Sequence, residues 1–505
     1  MRPWRNSWSF VLCGFAMLLV SAALRFFGAR GDLWLDEIWT LDIVSNLEHG
    51  YRVLWGPYLD NNHFLNTYYI YLVGTQSSPS VLRALAVVTG TASVALAGLI
   101  GLRRGRPEAL INMLVLGLSY AMVHYASEAR GYGPMIFFFL LGFYLLEAEL
   151  CTPRKSYRYL FAVAVVLGFL SHPIYVTAIA SFVFWFFFDR LRSSRSVLRA
   201  VDASVGFFLP TLVLFSALLF SLLFAIAKEG MNLGGGTWSG GSKLIGYAIR
   251  LGRLLLFEFG IPLSVSPLLV VVAFLVFAAS TIAILLWRGD SRAWFYLVTI
   301  LLVPAVMLVS TTPIHFDTRH FMLTGVAVLL LTGQCLAWVV RTNLTTRVLA
   351  GVILALFAFG NTAHLTSFLE SGRGNYGSAV RLMEQQRTGQ IITVGGDHRF
   401  RTPMLLNYYS AGSIDDGRIH YIEKEHWGDC SPQWLIVRGN ASAFDPPLTL
   451  SIKPSVRRDG PKPYDDACSS PADAAQDTVE LEYELNGVYR YWGLSGWHWA
   501  LYRRT

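Results

Sequence analysis

The stretch FVLCGFAMLLVSAALRFFGARGDLWLDEIWT, residues 10–40, decides how this chain is read. Its first part, Phe10 to Phe27, is an apolar run of membrane-spanning length. Two adjacent carboxylates, Asp36 and Glu37, follow almost at once, set between Trp34 and Trp39. Tryptophan settles at a membrane–water interface, where an exposed charge is costly, so the pair demands a reason for its position. A solvated acidic pair at a helix start is the plain alternative.

Composition carries the apolar reading outward. Of 505 residues, 54% are hydrophobic and 15% charged, and the mean hydropathy is +0.45, so water is not the solvent for most of the chain. Apolar segments recur as far as about His364, closed by Arg, Lys, Gly or Pro clusters. They predict about eleven spans, and about thirteen if residues 64–77 and 244–262 also cross. From Ser371 to Thr505 the pattern changes to short apolar stretches such as IITVG and PQWLIVRG between Asp, Gly and Pro clusters, which predicts a small soluble α/β domain. The expected division is a membrane domain over 1–365, with a first outer loop at 29–63, and a C-terminal domain over 371–505.

MRPWRNSW ahead of the first run lacks a convincing cleavage site, so the run reads as an uncleaved span. Three of the five cysteines, Cys13, Cys151 and Cys335, lie in or beside apolar segments. Cys430 and Cys468 share the C-terminal domain and are a candidate disulfide in an oxidising compartment. The net charge of +8 reflects arginine-rich loops, not a nucleic-acid surface, because no basic patch interleaved with aromatics occurs.

The loops at 103–108, 152–158, 189–199, 287–292 and 341–347 are rich in Arg and Lys, which assigns them to the cytoplasm together with the N-terminus. The opposite set then faces outward: residues 29–63, 127–133, 171–173, the Gly-rich 228–243, 311–320 and the C-terminal domain. That outer set holds Asp36, Glu37 and Asp60, and beside them Arg83, Arg130, His172, His315 and Arg319 at or near the outer ends of spans. The positive-inside rule does not account for these basic residues. Snorkelling to lipid headgroups is the alternative for the arginines, and a satisfied turn residue the alternative for His172.

These residues match a family pattern. Trp34-x-Asp36-Glu37 after the first span, Asp60-x-x-His63 before TYYIYL, SPSVLRAL from Ser78 to Leu85, Ala129-Arg130-x-Tyr132, and Arg319-His320-Phe321 together resemble the GT-C superfamily of membrane glycosyltransferases. The similarity is to its bacterial protein-mannosyltransferase and aminoarabinose-transferase branch and covers roughly residues 1–365. Where relatives often read H-P-P-L-Y-Y, this chain reads His63-Phe64-Leu65-Asn66-Thr67-Tyr68-Tyr69.

The resemblance implies a polytopic α-helical fold with an appended outer domain, a bacterial inner-membrane location, and a sugar donor carried on polyprenyl phosphate. It implies a glycolipid, glycan or protein as acceptor. Direct attack by an acceptor hydroxyl needs one general base and a cationic site for the departing phosphate. By match to the family's catalytic aspartate, Asp36 is the expected base and Glu37 its support, with capping of a short helix as the alternative role for Glu37. Arg319 is the preferred phosphate ligand because a guanidinium stays charged and bonds two oxygens at once. His63, Arg83, Arg130 and His320 are its expected helpers, and His172, His315, Asp60 and Tyr132 complete the candidate substrate site. No cofactor is expected; the Asp–Glu pair with nearby histidines could bind a divalent ion, but this is not favoured, since a hard cation wants more oxygen ligands than the loops supply. Glycine spacing in 230–241 excludes a nucleotide cradle. A transporter or flippase is the rival class, but the internal repeat that such proteins tend to show is missing.

Overall fold

Long apolar helices dominate the computed structural model of the chain, which describes residues 7–56, 58–59, 61, 63–232, 242–310, 317–387, 389–412, 414, 416–439, 444–452 and 480–505. The chain forms two compact units. One comprises Met1–Arg30 with Thr40–Thr366, and the other Gly31–Trp39 with Ser367–Thr505.

Nine helices, among the described residues, are long and apolar enough to cross a membrane. They expose large side chains such as Leu12, Phe15, Phe220, Phe224 and Val309 along their length, which only a lipid solvent tolerates. The protein is a polytopic helical membrane protein with a C-terminal sheet domain. Two of the expected spans are helical but shorter: Arg106–Leu118 has 13 residues and Lys155–Ser171 has 17. Of the ambiguous segments, 64–77 holds the ten-residue helix Phe64–Val73, and 244–262 the 17-residue helix Lys243–Phe259.

The short helix Arg106–Leu118 ends because Ser119 turns to an extended ψ of 120° before the chain restarts as Tyr120–Tyr125. A helix end leaves its last carbonyls and the next helix's first N–H groups without internal partners, a costly state in an apolar interior. Buried Arg25 of the first span answers part of this by donating to the Leu116 and Gly117 carbonyls at 3.1 and 3.2 Å. Asn361 answers another part. Its Oδ1 accepts the Tyr120 N–H at 2.6 Å while its Nδ2 donates to the Glu258 and Phe357 carbonyls.

Several of the arginine-rich loop residues are tied down. Arg104 pairs with Glu108 at 2.5 Å and with Glu147 at 2.6 Å, and Arg292 pairs with Asp290 through its Nε at 2.8 Å. These half-buried pairs join the ends of several helices where an isolated charge would be poorly solvated.

The second unit is built on a six-stranded mixed sheet. In chain order its strands are β1 (Ile392–Gly396), β2 (Ile419–Glu423), β3 (Trp434–Gly439), β4 (Thr449–Ile452), β5 (Leu481–Tyr489) and β6 (His498–Arg504), arranged β2-β1-β3-β6-β5-β4. β1 is parallel to both β2 and β3, and the remaining pairs are antiparallel. Its core packs Ile422, Trp427, Leu435, Tyr483, Ala500 and Tyr502. The helices Tyr376–Gln385 and Arg401–Tyr409 flank β1 in sequence. Cys430 is disulfide-bonded, whereas Cys468 lies outside the described residues.

The segment 31–39 belongs to this unit through specific bonds. The Gly377 N–H donates to Asp32 Oδ2 at 2.7 Å, and the Tyr409 hydroxyl donates to the Leu33 carbonyl at 2.5 Å. Trp34 packs on Trp497 at 6.2 Å between ring centres, and Trp39 meets Phe400 edge-on at 5.3 Å. Each such aromatic pair contributes about 0.5–1.5 kcal/mol beyond the area it buries.

Candidate active site

The carboxylate segment folds as the first turns of the helix Leu35–Ser45. Glu37 turns back to accept the Trp34 N–H at 3.1 Å, which satisfies one of the donors that a helix start leaves open. Asp36 and Glu37 are both buried, at 8% and 0% exposure, so neither is a solvated surface charge.

In the membrane unit the expected basic residues gather around the loop 127–133. Arg130, 2% exposed, donates through Nη2 to Asn61 Oδ1 at 3.1 Å and to His63 Nε2 at 2.9 Å. A guanidinium has only protons to give, so His63 Nε2 is the acceptor and its ring proton sits on Nδ1. Burial, then the Arg130 charge, then His172 and Arg319, push the His63 pKa well below 6.5 against the Ser171 carbonyl, which works the other way. His63 is therefore neutral.

His172 closes the helix Lys155–Ser171, and its Nδ1 accepts the Ile174 N–H at 3.1 Å, so its proton is on Nε2. Burial first, and then His320, Arg130 and Arg319, hold it well below 6.5 as well. The rings of His63 and His172 are 4.8 Å apart, Tyr132 lies 5.5 Å from the first and 5.0 Å from the second, and His320 lies 6.1 Å from His172. The Arg130 guanidinium sits 5.1 Å over the Tyr132 ring. His320 accepts the Asp317 N–H on Nδ1 at 2.8 Å, within the tight turn Thr318–Phe321 that also carries half-buried Arg319.

One glycine permits this arrangement. A Cβ on Gly131 would lie 1.7 Å from the Ser171 carbonyl oxygen and 3.2 Å from His63 Nδ1, so only glycine lets the loop approach the 171–172 turn.

The structure thus brings together Arg130, His63, Tyr132, His172 and His320, with the Arg319 charge acting on both neutral histidines. Arg83 has backbone partners of its own. Fully buried, it donates to the Ala29 carbonyl at 2.9 Å and the Arg30 carbonyl at 3.4 Å, at the end of the first span. Asp60, His315 and most of the Gly-rich loop (233–241) lie outside the described residues. Among the described residues no group of three His, Cys, Asp or Glu side chains is placed to hold a metal ion.

Sequence reasoning passed over several residues here. Asn61 orients Arg130 and is itself held by Thr40 Oγ1 at 3.1 Å; its only signal was the polar run DNNH. Glu128 and His124 form a fully buried pair at 3.1 Å, one helical turn apart, and His124 Nδ1 meets the Tyr120 hydroxyl at 3.1 Å.

A solved structure shares this architecture. The archaeal oligosaccharyltransferase AglB from Archaeoglobus fulgidus, in complex with an inhibitory peptide and a dolichol-phosphate, aligns with a TM-score of 0.50 at 11% identity, over 81% of this chain and 64% of that longer one. The chain shares the fold of that oligosaccharyltransferase. ArnT from Cupriavidus metallidurans in the apo state also aligns with this chain, over 84% of it and 92% of ArnT, at 12% identity and a TM-score of 0.46. ArnT bound to undecaprenyl phosphate aligns at a TM-score of 0.32 and 13% identity over 98% of each chain. No protein-family model and no curated protein sequence matches the chain.

Proposed function

We propose that this protein is an inverting glycosyltransferase that moves a sugar from a polyprenyl-phosphate donor to an acceptor hydroxyl at the outer face of a bacterial inner membrane. The observation that carries the reading is the buried cluster in which Arg130 is fixed by Asn61 and by the neutral imidazole of His63, under the added charge of Arg319. Two permanent cations among neutral hydrogen-bonding rings suit a lipid phosphate, whose charge grows as the glycosidic bond breaks. The GT-C fold agrees with this reading, and so does the dolichol-phosphate held by AglB.

In this mechanism Asp36 takes the proton of the acceptor hydroxyl as its oxygen attacks the anomeric carbon. The C–O bond to phosphate breaks, and the leaving oxygen's charge is met by Arg130 and Arg319. His172, held neutral, donates or accepts hydrogen bonds without adding charge. Glu37 sets the first turn that presents Asp36. No metal enters any step.

The test is direct. Purified protein in detergent is incubated with a panel of polyprenyl-phosphate sugars and acceptors, and release of free polyprenyl phosphate is followed. Release that requires Asp36 and Arg130 supports the assignment. Transfer from a nucleotide sugar, with no polyprenyl donor, overturns the donor class.

A further inference from the structure

Arg130 and Arg319 lie far apart in the sequence, and each is delivered by a short element that leads back to one residue, Asn361. Arg130 follows the six-residue helix Tyr120–Tyr125, and every residue from Tyr120 to Arg130 is buried. The connection is bonded throughout. Ser127 donates to the His124 carbonyl through its N–H at 3.2 Å and its hydroxyl at 2.9 Å, and the Ala129 carbonyl accepts from Asn66 Nδ2 at 2.6 Å. Arg319 sits in the turn Thr318–Phe321, which packs against the helix Lys243–Phe259. There Tyr247 meets Phe321 edge-on at 6.0 Å, and its hydroxyl donates to the Met307 carbonyl at 3.2 Å.

The far ends of these two helices meet inside the bundle. The helix Lys243–Phe259 runs beside the span Pro267–Arg288 in the same direction, since Gly252 lies against Pro267 and Phe259 is 4.4 Å from Phe274 between ring centres. It therefore descends among the spans and must turn back through residues 260–266 to reach Pro267, a re-entrant path that only surrounding protein permits. Gly260 makes the turn at a φ of +66°, pressed so close to Gly360 and Asn361 that a Cβ on Gly260 or Gly360 would overlap the opposing backbone. The Phe257 and Tyr120 rings pack 5.1 Å apart at this point, and His364 Nε2 donates to the Ile261 carbonyl at 3.1 Å. One fully buried amide then serves both helix ends. Asn361 Oδ1 accepts the Tyr120 N–H at 2.6 Å, and Nδ2 donates to the Glu258 carbonyl at 3.3 Å and to the Phe357 carbonyl of its own span at 3.0 Å. Filling open backbone groups accounts for an amide here. Sharing one amide between the two ends also makes their spacing a fixed length.

We infer that Asn361 is a positioning residue for the proposed donor site: by joining the start of Tyr120–Tyr125 to the end of Lys243–Phe259, it sets the separation of Arg130 from Arg319. The inference rests on the proposed glycosyl transfer for the word donor, and on the hydrogen bonds alone for the spacing. Two guanidinium groups that grip one phosphate must be held to within about 0.5 Å of the productive geometry, and rigid buried elements do this better than loops.

Two variants of the full-length protein in detergent test this. Asn361→Leu keeps the volume and removes all three bonds, and Asn361→Ser is the milder change, with a hydroxyl too short to serve both ends. Donor KM is expected to rise about tenfold or more in Asn361→Leu, and by less in Asn361→Ser, with acceptor KM unchanged. A purely structural role lowers the folded fraction, and with it apparent kcat, but moves neither KM. Phe207→Leu, in the distant cluster with Phe161 and Phe186, is the control: it lowers the melting temperature and leaves both KM values alone. In combination with Arg130→Lys, Asn361→Leu is expected to add less than its separate effect, because both act on one grip. Unchanged donor KM in both Asn361 variants, or full additivity with Arg130→Lys, overturns the inference. A readout without turnover separates it from the transfer reaction. An arginine-selective dicarbonyl reagent is expected to spare Arg130, 2% exposed, in the wild type and in Phe207→Leu, and to modify it in the Asn361 variants, as read by the mass of its peptide. Arg130 opened only in the Asn361 variants, while the wild type consumes no polyprenyl-phosphate sugar, overturns the transfer reaction and leaves the positioning role standing. A wild type that turns over, with Arg130 equally protected in every variant, overturns the positioning role alone.

Discussion

Arg130 donates to Nε2 of His63 at 2.9 Å, and this contact fixes both the tautomer and the charge of the histidine. A histidine that accepts from an arginine cannot also be a cation, so the charge of the cluster rests on its guanidinium groups alone.

Arg130→Lys is therefore a severe change despite keeping the charge. A lysine cannot meet Asn61, His63 and a phosphate from one planar group. We expect donor binding to fall by about 2–5 kcal/mol, read as a rise in donor KM, with acceptor KM unaltered. A variant with wild-type donor KM would remove Arg130 from the phosphate site.

Asp36→Asn keeps the size of the side chain and removes its basicity. Transfer is expected to drop by about 10²–10⁴-fold, with no loss of thermal stability. Glu37→Gln is expected to behave differently, because Glu37 accepts the Trp34 N–H at the helix start: it lowers stability by about 1 kcal/mol and transfer far less than the Asp36 change. Equal losses in the two variants would contradict the division of labour.

Both His63 and His172 have pKa values lowered in the folded protein, and the sign of the linked stability follows. Above about pH 6.5 both states are neutral and stability is flat. Below it the unfolded chain takes up protons that the folded one refuses, so stability falls as pH falls, by about 1.4 kcal/mol per pH unit for each histidine, until the folded values are reached. Melting temperatures measured from pH 8 to pH 5 test this. A His63→Gln variant should show a shallower slope, and an unchanged slope would place the titrating groups elsewhere.

Gly131→Ala sets a methyl group against the Ser171 carbonyl, 1.7 Å away before any adjustment. The loop must retreat from the 171–172 turn, which costs about 1–3 kcal/mol and pulls Arg130 away from His63. Reduced melting temperature together with reduced donor binding is the expected pair of effects. Loss of either one alone would mean that the loop and the cluster are not coupled.

The spans and the change of pattern after residue 365 were legible because twenty-residue apolar runs leave no other structure open. β1 and β3 were legible for the same kind of reason, as IITVG and QWLIVRG are continuous apolar strands at the sheet's centre. β2 (IHYIE), β4 and β5 were not, since their mixture of polar and apolar residues suits an edge strand and a loop equally well. Asp36, Glu37 and Arg130 stood out as polar residues in costly places. Asn61 did not, because an asparagine in a polar loop is ordinary until its partner is known. The Asp397–Arg438 bridge joins residues 41 positions apart and the Arg83 contact with Ala29 joins residues 54 apart, and neither spacing has a signature in one sequence.

The bonds that shape segment 31–39 come from far along the chain: Gly377 lies 345 positions beyond Asp32, and Tyr409 lies 376 beyond Leu33. A ribosome that has finished every span has still not made the residues that hold this segment. Asp36 thus emerges early but acquires its final setting late, and a nascent chain halted after the last span carries the proposed base without its scaffold. Under the proposed function, activity waits until residues 377 to 409 have been made. Chains truncated after Ser371, the end of the last span, should insert in the membrane and show no transfer, and activity in that truncated form would show that the scaffold is dispensable.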